Sequence, residues 1–241
     1  MATSFHPPAM RFRRRELNLG ILSQFCLAMV TASWAIPFAG AEEYLVQPKH
    51  SVRAPDGSFV IEQRASHKGD DLAWQAWICP APGNGTAYAL PGWQETEWCW
   101  AGVFSIAPNG NYLLHIQKTG SGSNEAVIFT KRRDGRFVPA SNLRPSAPLS
   151  NRAWSFFRKT LGVNPLLNRG GIAFVSWGED GDCVEISLQG SDLGGGYAVN
   201  DWRVHYNLVS ARFFLSRDQL RHNNRTVTFA DGKPLPLHGG G

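Results

Sequence analysis

The chain has 241 residues, of which 43% are hydrophobic and 18% charged, with a formal net charge of +5. That is enough apolar content for a packed core and too little charge for a disordered chain. With 25 Gly and 15 Pro, a protein of long helices or coiled coil is excluded too, because both residues interrupt helices.

The charge is unevenly placed. Arg11, Arg13, Arg14 and Arg15 precede an apolar run from Leu17 through Ile36, and Ala39-Gly40-Ala41 follows. Positive start, apolar middle and small-x-small finish predict a secretory signal peptide over residues 1–41, cleaved after Ala41 or, alternatively, after Ala35. An apolar run of about 20 residues could also just cross a bilayer, so a retained anchor is the other reading. Residues 1–41 hold four Arg and one Glu, which leaves the remainder at +2. No basic patch then speaks for nucleic acid, and no second run has membrane-spanning length. The expectation is a periplasmic or secreted chain with a β-repeat domain over 42–232 and a disordered Pro/Gly-rich tail over 233–241. Cys26 leaves with the signal. Cys79 and Cys99, joined by a Gly/Pro-rich stretch, are the expected disulfide, with free thiols as the alternative and Cys183 in the core.

In chain order, short apolar-polar alternations between turn residues predict strands. They are Ser58 to Arg64, Leu72 to Cys79, Asn111 to Lys118, Glu125 to Lys131, Arg136 to Val138, Gly171 to Trp177 and Cys183 to Leu188. Trp202 to Leu215 reads as two strands or one bent one, and Thr226 to Phe229 as a short last strand. One helix stands out near 150–162. Ser150 or Asn151 can cap it, Ala153, Trp154, Phe156, Phe157 and Leu161 form its apolar stripe, and Gly162 ends it. Ser216 to His222 reads as a second short helix.

The most informative feature is an internal repeat. Ala54-Pro55-Asp56-Gly57-Ser58-Phe59 matches Ala107-Pro108-Asn109-Gly110-Asn111-Tyr112, and Gly178-Glu179-Asp180-Gly181-Asp182-Cys183 is a looser third copy. Asx-Gly makes a tight turn because both residues tolerate positive φ. The copies lie 53 and then 71 residues apart, and the extra 18 match an inserted helix. These segments resemble the TolB-like β-propeller repeat. The resemblance implies four-stranded blades whose loop faces bind protein or ligand, with room for about four blades. The predicted class is therefore all-β with one inserted helix, propeller-like, with a two-sheet sandwich as the alternative.

No nucleophile elbow, zinc-protease motif, P-loop or dinucleotide fingerprint is present, and no cofactor is expected. The segment Trp93-Gln94-Glu95-Thr96-Glu97-Trp98-Cys99-Trp100 sets two carboxylates among aromatics. Trp93, Trp98 and Trp100 are candidate binding residues, and Glu95 and Glu97 a candidate glycosidase pair; core Trp beside solvated Glu is the plainer reading. Asp201 and His205, with Arg203, Tyr206 and His115 nearby, are the other catalytic candidates. Glu179, Asp180 and Asp182 are the metal candidates, against a solvated turn. Two functions follow as expectations: an exported non-enzymatic protein that binds a protein or cell-envelope ligand through its loops, or an exported hydrolase acting on a glycan.

Overall fold

The computed structural model describes residues 43–82, 85–91, 98–140, 143, 148–162, 170–191 and 196–229. All of them fall in one unit, Ala41–Gly241. The predicted signal segment and the tail lie outside the described residues.

Three antiparallel sheets follow one another along the chain. The first is built on a hairpin of two ten-residue strands, β3 (Phe59–Lys68) and β4 (Asp71–Pro80). Two short strands, β1 (Leu45–Val46) and β2 (Val52–Arg53), pair with β3, and β5 (Tyr88–Ala89) pairs with β4. The second is a plain meander of β6 (Val103–Ile106), β7 (Tyr112–Gly120), β8 (Ser123–Lys131) and β9 (Phe137–Pro139). The third runs β10 (Gly171–Trp177), β11 (Cys183–Ser191), β12 (Tyr197–Asn207) and β13 (Arg212–Phe214), and β14 (Val227–Phe229) also pairs with β12. The all-β class with an inserted helix is what the sequence predicts. Room for about four blades becomes three sheets among the described residues, with a 13-residue helix between β9 and β10 and a seven-residue one between β13 and β14.

The alternation that marks β3 in the sequence is the alternation of its burial: Phe59, Ile61, Gln63 and Ala65 face inward. By contrast β7 and β8 each carry an unbroken buried run, Leu113 to Gln117 and Ala126 to Phe129, as strands covered on both faces do. The inserted helix, α1 (Leu149–Leu161), supplies part of that cover. Phe157 meets Trp202 of β12 edge to face at 5.1 Å, and Phe156 stacks on Phe213 at 5.5 Å. Phe157 is fully buried, which contributes about 2–3 kcal/mol. Arg152 donates to Tyr206 Oη at 3.0 Å and to Ala211 O at 2.9 Å. Gly162 closes the helix in the left-handed region, as predicted. Its start differs: Pro148 holds the cap position without a side-chain bond, and Ser150 turns inward. The second helix, α2 (Arg217–Asn223), opens on a full capping box of Ser216 and Gln219.

The expected Cys79–Cys99 disulfide is absent, and both residues are free thiols. Register explains this. Trp98 bridges Trp74 in antiparallel sense, so Cys99 falls beside Ala73, six residues along β4 from Cys79. That is about 20 Å of strand, whereas bridged cysteines have Cα atoms within about 7 Å.

Candidate functional site

The three repeat segments fold into one turn, hydrogen bond for hydrogen bond. The fourth residue's amide closes on the first residue's carbonyl: Gly57 to Ala54, Gly110 to Ala107 and Gly181 to Gly178, at 2.9, 2.9 and 3.0 Å. The first residue's amide reaches the sixth residue's carbonyl: Ala54 to Phe59, Ala107 to Tyr112 and Gly178 to Cys183. In each, the Asx side chain accepts from the amide two residues on, Ser58, Asn111 and Asp182. Each glycine has φ between +67° and +75°, where only glycine sits without strain. The pattern needs Asx and Gly but not Pro, which is why Glu179 can stand where Pro55 and Pro108 do. Each turn joins two consecutive strands and opens a long one: β2 to β3, β6 to β7, β10 to β11.

These turns come together on one rim. Asn109 Nδ2 donates to Asp180 O at 2.8 Å and to Asp182 Oδ1 at 3.1 Å. A Cβ on Gly181 would stand 2.7 Å from Asn109 Cγ, and one on Gly110 would stand 3.8 Å from Asp56 Oδ2. The middle turn therefore touches both others. The Ser58 hydroxyl and amide bonds hold the Asp56 carboxyl below its ordinary range. Burial, followed by the field of Asp182, pushes the Tyr112 phenol up.

Beside the rim, between the first two sheets, opens a cleft of about 390 Å³. Its floor is Phe59, Ile78 and Phe137, all buried, and Tyr88 Oη accepts from the Phe137 amide at 2.8 Å across it. Lys131 Nζ lies 5.6 Å from the Phe59 ring centre, and Arg136 Cζ lies 5.1 Å from that of Tyr88. Neither cation is ion-paired among the described residues. Sequence reading missed this cleft because its walls come from chain segments about 50 residues apart.

The other candidates scatter. Trp93, Glu95 and Glu97 lie outside the described residues. Trp98 is half-buried and meets His115 edge to face at 4.8 Å, a packing role. Trp100 is exposed at 41% with Lys118 Nζ 5.0 Å above its ring, at the end of β7 away from the rim. Glu179, Asp180 and Asp182 do not converge: Asp180 Oδ1 and Asp182 Oδ1 are spent on turn bonds. Among the described residues no group of three His, Cys, Asp or Glu could hold a metal.

Asp201, Arg203 and His205 do share one strand face, with Glu185 and Ser187 opposite. Tyr206 faces the other way and is buried. Asp201, at φ +58°, pairs with Arg203 at 2.8 Å and His222 at 3.1 Å. Burial pushes the Asp201 carboxyl up, but the Arg203 bond and charge and the His222 charge outweigh it, so the net shift is downward. His205 instead stacks on Phe214 at 5.1 Å. The missed site residue is His222: the sequence places it at the end of the predicted Ser216 to His222 helix, but not that this helix brings it to Asp201. His115 belongs to the second sheet. It stacks on Phe104 at 4.3 Å, and Gln117 Oε1 is its hydrogen-bond partner at 3.2 Å. Burial pushes its pKa down to about 4.

Among solved structures the chain is similar to TolB from Acinetobacter baumannii, at 11% identity and a TM-score of 0.28. The match covers 83% of this chain and 55% of that one, so the chain spans about half that protein's length. No family model matches the chain, and no curated protein does. No helix among the described residues is long and apolar enough to cross a membrane.

Proposed function

We propose that this chain is an exported, non-enzymatic β-repeat protein of TolB-like units that binds a protein or cell-envelope ligand through the loop face. The observation that supports it is the bonding of the second Asx-Gly turn to the third through Asn109, with Asp56 of the first turn beside Gly110. Rigid turns on a packed scaffold are where binding residues are usually carried. The cleft beside the rim adds a concave site of a size that suits a ligand group. The basic, then apolar, then small-residue order of residues 1–41 supports export to the periplasm or beyond.

A photo-crosslinking residue at Pro108 or Glu179, both exposed on the rim, tests this in a cell-envelope extract. The same adduct is expected from both positions and not from Asp70, which sits in the β3–β4 turn at the other end. Equal labelling from Asp70, or none from the rim, overturns the reading.

A further inference from the structure

The cleft between the first two sheets carries an asymmetry of charge that narrows its ligand. Two cations, Lys131 and Arg136, line it against one carboxylate, Asp134, whose Oδ1 accepts from the Arg136 amide at 3.0 Å. Asp56, just outside the lining, is held by the Ser58 amide and hydroxyl at 2.9 and 2.6 Å and adds some attraction for Lys131. Lys131 and Arg136 each rest over an aromatic ring, and neither meets a carboxylate within ion-pair distance among the described residues. A cation laid on a ring keeps its charge available, because the ring quadrupole holds it more weakly than a carboxylate would. Below them the floor is apolar and closed by Phe59, Ile78 and Phe137. A ligand with an anionic group at the mouth and an apolar group beneath fits it.

We propose that this cleft captures the free carboxyl terminus of a protein ligand, with Lys131 and Arg136 flanking the terminal carboxylate and the last, apolar side chain seated on the floor. The proposal rests on the loop-face reading and deepens it. An acidic polysaccharide would share the charge, but it presents hydroxyls, not an apolar end, to the closed floor.

The test uses the whole chain and fluorescent pentapeptides ending in Leu or Phe, each as free acid and as carboxamide, with an oligoglucuronate as the third probe. Free acids are expected to bind, and amidation to weaken binding about tenfold or more, the loss of a charge-assisted contact. Lys131→Gln and Arg136→Gln should each cost the acids a similar factor and leave the amides unchanged, with thermal melts confirming that both variants fold. Equal binding of acid and amide by the unmodified protein, binding of oligoglucuronate alone, or no binding of any probe overturns the proposal. If the rim crosslinks in extract while acid and amide bind alike, the carboxyl-terminus proposal falls and the loop-face reading stands. If Pro108 and Glu179 give no adduct, the loop-face reading fails first.

Discussion

Acid should unfold this protein through His115 before it reaches the surface carboxylates. The ring is 1% exposed, stacked on Phe104 and edged by Trp98. Gln117 Nε2 donates to Trp100 O and Lys118 O, both at 3.1 Å, which fixes its Oε1 toward the ring as an acceptor. That bond favours the charged ring, but burial outweighs it and pushes the pKa down to about 4 from 6.5. In the unfolded chain it takes up a proton near pH 6.5. Between those values the unfolded state binds more protons than the folded one, so stability falls as pH falls. By pH 4 the loss approaches about 3 kcal/mol, a large part of a typical stability of about 5–15 kcal/mol. The carboxyls of Asp56, Glu62 and Asp201, held below their ordinary range, begin to lose their contribution only as pH falls below about 5, so the interval from pH 7.5 to 5 reports the ring. Urea unfolding at pH 7.5, 6, 5 and 4 reads the effect directly. His115→Phe is the control. It leaves Gln117 Oε1 unpaired, at a cost of about 1–3 kcal/mol at every pH, but it should flatten the curve above about pH 5. A variant whose stability falls as steeply as the unmodified protein's would refute the reasoning.

Other outcomes follow from single contacts. Gly102→Ala would drive its methyl into His115 Nε2 and to within 2.8 Å of Cδ2, so a loss of about 1–3 kcal/mol is expected by denaturant unfolding; an unchanged midpoint contradicts the packing described. Thiol titration with a chromogenic disulfide should label exposed Cys99 in the native protein without reductant, and Cys79 only after unfolding. Finding both blocked until reduction would restore the disulfide. Asn109→Ala removes its two bonds to the third turn and the Asn111 amide bond within its own turn and should cost about 1–3 kcal/mol, whereas Asn124→Ala, which loses the Ile172 amide bond between sheets, should cost about 1 kcal/mol. An unchanged denaturant midpoint for either contradicts the inter-sheet contacts.

Much of the architecture was legible because the long strands announce themselves. The β3–β4, β7–β8 and β10–β11 hairpins are apolar runs, alternating in β3 and continuous in β7 and β8, separated by Gly turns, so their positions follow from local pattern and φ. The short pairings β1, β2 and β5 carry only two residues each and gain their order from neighbours, not from local pattern. The break in Trp202 to Leu215 was ambiguous for a definite reason. It is made by Asn207 Oδ1 accepting from the Ser210 amide and hydroxyl, with Ala211 at φ +57°, and no Gly or Pro marks it. The repeat was readable, but its meeting point was not: that Asn109 would bind the Asp180 turn, 71 residues on, is a property of how sheets pack. The disulfide expectation failed likewise, since a sequence shows that two cysteines are joined by a loop but not the register that sets them about 20 Å apart.

The meeting of the turns can be measured by crosslinking. With Cys79, Cys99 and Cys183 replaced by Ser, Pro108→Cys and Glu179→Cys put two thiols beside the Asn109–Asp180 bond at exposed positions that the turns do not require. A short bis-maleimide should bridge them within one chain, seen as a single added linker by mass and a shifted band on a denaturing gel. Thiols that each take up a separate linker, as a Pro108→Cys and Asp70→Cys control should, would mean that the turns do not share a rim.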